Sequence, residues 1–294
     1  MRYVITGSNG NISKPLSKML VDAGHDVSVI TSSGNKIKDI EDFGAKAIVG
    51  SIEDAGFLME AFQGADAVYT MIPPKLDAAN WAKFVFQVGD NYADAIQKAE
   101  IGKVVNLSSM GAHLATGGGL TSLYYYVEQA LNKLQNTAIT HLRPGSFYYN
   151  FFGNISMIKN MGIIGNNYSD VLLPLVHPKD IALAAFEKLS TLEFTGKNVE
   201  YVVSDEYTTN EIAGILGAAI GKPDLQWIKF SDEHALSGMV QAGLTQDVAQ
   251  KLVEMGQAVQ SGATISDYIG HKPKFGPNKL KDFAKEFALE YAQS

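Results

Sequence analysis

Apolar and polar positions along the chain follow one rhythm up to about residue 150 and another beyond it. In the first part, short apolar runs alternate with stretches whose apolar residues recur at helical spacing. Val4-Ile5 precedes Leu16 to Leu20, and Asp26 to Ile30 alternates polar and apolar residues. Lys46–Gly50 precedes Asp54–Phe62, Ala67–Ile72 precedes Trp81–Ala99, and Lys103–Ser109 precedes Leu123–Leu134, with Ala138–Leu142 closing the series. Short runs suit strands and longer periodic stretches suit helices, so the alternation predicts a parallel sheet covered on both faces. Asp22-Ala23-Gly24-His25 breaks the first helix, and Arg143-Pro144-Gly145 ends the last strand of the series. The two prolines after Met71-Ile72 stop their strand abruptly and place Met71–Pro74 in a loop at the carboxyl edge of the sheet. Beyond Phe152 the pattern is irregular: a strand over 171–176, a helix over Pro178–Leu189, a strand over Asn198–Val203 and a helix from Thr209. Thr208 and Glu211 are spaced as a capping box for that helix. A short strand over Gln226–Phe230, a helix over 232–258 and a last amphipathic helix over Leu280–Tyr291 complete the reading. The expected fold class is α/β: a Rossmann-type, doubly wound parallel sheet over residues 1–150. A smaller mixed α/β lobe spans 151–294, and strand exchange between the two is allowed.

The first turn carries the clearest chemistry. Val4-Ile5-Thr6-Gly7-Ser8-Asn9-Gly10-Asn11-Ile12-Ser13 reads as strand, glycine turn and helix start. Gly7 can take backbone angles closed to other residues, and Gly10 lets the chain lie close to whatever sits above the helix. The first helical N–H groups have no partner within a helix, and the aligned peptide dipoles favour an anion there, so a pyrophosphate suits the spot. The spacing is Gly-x-x-Gly-x-x-Ser, not the dinucleotide fingerprint Gly-x-Gly-x-x-Gly, and Ser13 is small enough to replace the third glycine. The second strand ends Thr31-Ser32-Ser33-Gly34-Asn35-Lys36 without a carboxylate to bond a ribose 2′-hydroxyl. Its hydroxyls and the Lys36 ammonium suit a 2′-phosphate, which favours NADP(H) and leaves NAD(H) allowed; the alternative is a solvated polar turn.

Composition narrows the partners. With 24 Lys and Arg against 31 Asp and Glu, the net charge is −7, and no basic stripe is suited to nucleic acid. No apolar run approaches a membrane span, and no secretory leader pattern precedes the first strand, so a cytoplasmic protein without membrane contact is expected. There are no cysteines and the six histidines are scattered, so no metal-ligand spacing appears. Gly117-Gly118-Gly119 lies in a loop that is either a lid or an unconstrained surface segment.

These residues together resemble the NmrA-like branch of the atypical short-chain dehydrogenase/reductases, which includes NADPH-dependent quinone reductases. The markers are Thr6 to Ile12, Gly24-His25-Asp26-Val27, Gly64 to Val68, Val105-Asn106-Leu107-Ser108-Ser109, Leu142-Arg143-Pro144-Gly145, His177 to Ala182 and Pro277 to Phe283. The resemblance implies a cofactor site built from Gly7, Asn9, Gly10, Asn11, Ile12, Ser32, Ser33, Lys36, Met71, Ile72, Pro73, Ser108, Pro144 and Phe147. It also implies a C-terminal lobe that closes over the nicotinamide. Two departures stand out. Ser32 occupies a position where NADP-preferring relatives commonly carry arginine. Typical short-chain dehydrogenases pair a tyrosine with a lysine four residues on; here Tyr124, Tyr125 and Tyr126 are followed at that distance by Glu128, Gln129 and Ala130. A tyrosine near its ordinary pKa of about 10 donates protons poorly at neutral pH, which argues against ordinary alcohol dehydrogenase chemistry.

Two functions fit. One is a reductase passing hydride to a quinone-like or other planar, conjugated acceptor, for which positioning matters more than proton donation. Tyr124 or Tyr125 could offer a phenol to the acceptor, and His113, beside the glycine-rich loop, a ring N–H. The aromatics of 124–126 and 147–152 would either wall the acceptor or pack the lobes together, while His177 and Asp180 are expected to tie the lobes. The other is an NADP(H)-binding redox sensor without turnover that acts through a protein partner. A homodimer is compatible with either.

Overall fold

The strand and helix signals of the first part translate into a continuous α/β unit. The computed structural model describes residues 1–75 and 78–294. β1 (Arg2–Ile5) leads into α1 (Ser13–Asp22), followed by β2 (Asp26–Thr31), α2 (Ile37–Glu41), β3 (Lys46–Val49) and α3 (Ala55–Phe62). Then come β4 (Ala67–Thr70), α4 (Trp81–Lys98), β5 (Lys103–Leu107), α5 (Leu120–Asn132) and β6 (Ala138–Pro144). Asp54 starts α3 as its charge and size suggest, its carboxylate accepting the Phe57 N–H at 3.0 Å.

The rest of the chain is β7 (Ser146–Phe147), α6 (Ile155–Met161), β8 (Ile164–Asn166), β9 (Leu172–Val176), α7 (Pro178–Thr191), β10 (Lys197–Val202) and β11 (Asp205–Thr208). It ends with α8 (Thr209–Ala219), β12 (Trp227–Lys229), α9 (Asp232–Gln241), α10 (Gln246–Gln260) and α11 (Leu280–Gln293). Among the described residues, seven strands form one sheet in the order β10-β6-β5-β4-β1-β2-β3, every neighbouring pair parallel. Two late elements belong to this layer: β10 pairs along β6, and α7 packs against α1. β11, β9 and β7 form a second small sheet, and β12 pairs with β8.

Alternation along the strands divides the core. Val4, Val68, Val104 and Ile139 face Val85, Val88, Tyr92 and Val127 of α4 and α5. Tyr3, Ile5, Tyr69 and Val105 face Leu16, Leu20, Ile181 and Ala185 of α1 and α7. Burial on both faces is why these strands read as unbroken apolar runs.

The structure corrects several boundaries. β6 continues through Arg143 to Pro144, because a proline at the last strand position removes only one ladder donor. The single helix expected over 232–258 is two, divided where Gly243 adopts φ +97° and Thr245 caps α10. The short elements β7, β8, β11, α2 and α6 carry too few residues for their periodicity to show.

A polar line crosses the middle of the sheet. Thr70 donates to Asn106 at 2.9 Å, the Asn106 amide lies 3.1 Å from His141 Nδ1, and His141 Nε2 lies 3.0 Å from Asn132 Oδ1. Burial, the largest cause, lowers the His141 pKa to about 4 from 6.5, so the folded protein holds a neutral ring. Unfolding below pH 6.5 then takes up a proton that the native ring refuses. The stability His141 contributes at neutral pH is therefore lost as pH falls through its folded pKa, on the order of 3 kcal/mol between pH 6.5 and about 4. Urea midpoints measured across that range should fall with acidification, and less steeply in His141→Gln.

Candidate functional site

The sheet order reverses between β1 and β4, which opens a crevice at their carboxyl ends, the place where open α/β sheets hold ligands. Gly7 forms its floor with φ +94°, a conformation that favours glycine. A Cβ at this position would lie 2.4 Å from Ser13 Oγ and 2.8 Å from Met71 Sδ. Ser13 is fixed in turn, its hydroxyl donating to the Thr6 carbonyl at 2.8 Å. Thr6 joins the two loops: its Oγ1 accepts the Met71 N–H at 2.8 Å. Tyr92 donates to the Met71 carbonyl at 2.6 Å from the other side.

Above this floor no side chain caps α1, and the N–H groups of Asn11, Ile12 and Ser13 donate to nothing among the described residues. Pro15, in the first turn, lacks an N–H altogether. The Ile12 side chain is buried in the core, so its backbone alone is offered to the crevice. Asn9 Oδ1 is buried without a partner among the described residues. An unpaired cluster of donors at a helix start, over a cradle that any Cβ would fill, suits a phosphate group.

At the end of β2, Ser8 Oγ donates to Thr31 Oγ1 at 2.9 Å, and Ser33 Oγ accepts the Asn35 N–H at 3.3 Å. Ser33 is thus occupied in capping a short 3₁₀ turn, whereas Ser32 and Lys36 are exposed. Ile72 is buried under α4, while Met71 and Phe147 lie partly buried against the core beneath α1 and α7, and Pro73 is partly exposed. Pro144 ends β6, its carbonyl accepting the Met110 N–H at 3.2 Å.

The acceptor-side candidates separate. Tyr124 is partly buried, and desolvation pushes its pKa up to about 12; its phenol shares a neighbourhood with those of Tyr69 and Tyr92, both also raised by burial. Tyr69 OH is buried with no partner among the described residues. Tyr125 is partly buried beside Tyr124, whereas Tyr126 points outward, bonded to Asp90 at 3.0 Å and packed on Phe86. His113 is committed elsewhere: its Nε2 lies 3.1 Å from the Ala263 carbonyl and 2.9 Å from Ser266 Oγ. The second aromatic stretch is core. Tyr148, Tyr149 and Phe152 pack on Phe283 of α11, and Tyr148 donates to Asp205 at 2.8 Å.

His177 caps α7, its Nδ1 accepting the Lys179 N–H at 3.0 Å, and Asp180 accepts from Ser204 and from Asn278 ahead of α11. The glycine-rich loop is clamped at its end, where a Cβ on Gly119 would lie 2.1 Å from the Lys251 carbonyl of α10.

The partners of one group escape the sequence reading. Glu128, four residues after Tyr124, is 2% exposed and forks onto Arg143, with Nε at 3.0 Å and Nη2 at 2.6 Å. Ser108 donates to the same carboxylate at 2.5 Å. Among the described residues no group of three or more His, Asp or Glu side chains is placed to hold a metal ion, and no helix is long and apolar enough to cross a membrane.

The sequence matches the model of the NmrA-like family over residues 2–274. The chain belongs to that family. Among curated proteins it is similar to the (4-alkanoyl-5-oxo-2,5-dihydrofuran-3-yl)methyl phosphate reductase of Streptomyces griseus, 22% identical over 98% of this chain and 99% of the relative. Among solved structures, the triphenylmethane reductase of Citrobacter sp. aligns with a TM-score of 0.81 at 20% identity, covering 98% of this chain and all of that one. The NADPH-dependent quinone oxidoreductase of Escherichia coli, complexed with NADPH, aligns at 0.80 and 19%, covering 97% and 99%. This NmrA-like chain therefore has the fold of NAD(P)-binding reductases. The curated relative and these two structural neighbours are named as reductases or an oxidoreductase.

Proposed function

We propose that this NmrA-like protein is an NADPH-dependent reductase of a planar, conjugated acceptor such as a quinone, working without a Tyr-Lys dyad. The observation that carries the reading is the cradle at Gly7, with free N–H groups at the start of α1 and a wall formed by Met71. Gly7, Asn9, Gly10, Asn11 and Ile12 would hold the pyrophosphate. Ser32 and Lys36, exposed at the end of β2 with no carboxylate among residues 31–36, favour a 2′-phosphate and hence NADP(H) over NAD(H). Met71, Ile72, Pro73, Ser108, Pro144 and Phe147 would border the nicotinamide. The E. coli neighbour's complex with NADPH and the Citrobacter neighbour's complex with NADP(H) support the same cofactor.

When bound, NADPH supplies a hydride. The chain's own part is to hold the acceptor flat against that ring and to offer a hydrogen bond from Tyr124. With its pKa at about 12, Tyr124 remains a neutral donor throughout the neutral range. Conjugation stabilises the reduced oxygen, so water can complete protonation and no lysine is required beside the phenol.

The test is NADPH consumption by the purified protein with a panel of simple quinones, repeated with NADH. Turnover with NADPH ahead of NADH is expected. Tyr124→Phe should lower kcat by about tenfold, the scale of one hydrogen bond, and the wild-type rate should show no alkaline fall from Tyr124 below about pH 10. Tight NADPH binding with no quinone consumed would favour the sensor instead.

A further inference from the structure

The buried pair of Glu128 and Arg143 is not closed upon itself. Its fork uses Nε and Nη2 of the guanidinium, and the remaining Nη1 reaches out of the sheet layer. Nη1 donates to Asp267 Oδ2 at 3.1 Å and to Tyr201 OH at 3.3 Å, while Tyr201 in turn donates to Asp267 at 2.5 Å. Asp267 belongs to the segment between α10 and α11, 124 residues beyond Arg143 in sequence. That segment is seated at further points: His113 holds Ala263 and Ser266, Tyr268 donates to Glu206 at 2.7 Å, and the Gly276 N–H bonds the Val203 carbonyl at 2.8 Å.

We propose that Asp267 is a positioning residue for the acceptor side of the crevice, acting through Arg143 and Glu128 on Ser108. The proposal rests on the reductase reading, because it gives meaning to Ser108 only as part of the crevice wall. The guanidinium is planar, so fixing Nη1 at one end fixes the fork at the other. The fork holds the Glu128 carboxylate in a single orientation, and that carboxylate accepts the hydrogen bond of the Ser108 hydroxyl. Ser108 therefore presents its oxygen to any other group only as an acceptor. It suits the hydroxyl of a reduced acceptor and does not donate to a carbonyl. Without Asp267 the Nη1 edge loses its anion, the fork can turn, and the Ser108 hydroxyl is free to rotate. A contact between the distant segment and Arg143 thus determines the polarity of an atom at the end of β5.

Asp267 is a third exposed, so Asp267→Asn should leave the fold intact. Three readouts decide the matter in Asp267→Asn, Asp267→Glu and Tyr201→Phe: NADPH Kd by fluorescence, kcat and KM with 1,4-naphthoquinone, and hydrogen–deuterium exchange of the ligand-free protein. Asp267→Asn should lower kcat with 1,4-naphthoquinone by about tenfold, the equivalent of one hydrogen bond accepted from the forming hydroxyl, with quinone KM and NADPH Kd within about twofold of wild type. Asp267→Glu should recover part of the loss, and Tyr201→Phe should show a smaller effect in the same direction. Exchange should rise over 105–109, which precede His113 and its own contacts with Ala263 and Ser266, as well as over 263–271, and remain unchanged over 4–13. Exchange rising over 263–271 alone, or NADPH Kd weakening in step with the fall in kcat, would overturn the proposal by reducing Asp267 to an anchor. If wild type consumes no quinone, the reductase reading fails, and exchange over 105–109 still decides whether Asp267 acts on Ser108.

Discussion

Gly7→Ala should abolish productive cofactor binding, lowering NADPH affinity roughly 100-fold or more, about 2.7 kcal/mol. Two effects combine. The backbone at φ +94° costs an alanine about 1–2 kcal/mol relative to glycine. The new methyl also falls 2.4 Å from Ser13 Oγ and 2.8 Å from Met71 Sδ, well inside contact distance. Relief requires Ser13 to release the Thr6 carbonyl or the Met71 loop to lift from Thr6 Oγ1, and either shift moves the donors at the start of α1. Gly10→Ala separates the contributions, since its Cβ would meet only the Gly7 carbonyl, at 3.1 Å. Fluorescence titration with NADPH, alongside thermal unfolding of both variants, should show Gly7→Ala losing both affinity and stability. Gly10→Ala should lose affinity with little change in stability.

The second large effect is expected at Glu128. Replacing it with alanine leaves the Arg143 guanidinium, 7% exposed, facing only the rim carboxylate of Asp267, and removes the acceptor of Ser108. Breaking a buried ion pair by removing one partner costs about 3–5 kcal/mol, most of it the desolvation of the charge left behind. The double variant Glu128→Leu with Arg143→Met removes both charges and fills similar volume, so it should be more stable than Glu128→Ala alone. Chemical denaturation of the two proteins tests the ordering. If the single variant were as stable as the double, Arg143 would be finding water, and the pair would not be a sealed element of the fold.

Most of the sheet was legible because both its faces are covered, which turns each strand into an apolar run bounded by glycine or proline. Val4-Ile5 before Gly7 and Ala67 to Thr70 before Pro73 are examples. Caps were legible for the same local reason: Asp54 and the Thr208–Glu211 box act within three residues of themselves. The cradle could be read as a motif, but its tightness could not, because Met71 closes it from 64 residues away. Phe147 to Phe152 showed the limit of composition. An aromatic cluster looks the same whether it walls a ligand or packs a helix, and here α11 takes Tyr148, Tyr149 and Phe152. Glu128 was visible as a departure from a lysine, yet its partners Arg143 and Asp267 follow from pairing geometry that no local spacing encodes.

The placement of β10 along β6 bears on how the chain is made. Every residue from Lys197 to Val202 has a partner from Ile139 to Pro144. As the polypeptide leaves the ribosome, β6 emerges with one edge bare and keeps it so until more than fifty further residues have followed, among them α7, which covers α1. The seven-stranded layer is thus a unit of space and not of sequence. Its completion waits for β10, by which point β7, α6, β8 and β9 have emerged and β11 to α11 have not.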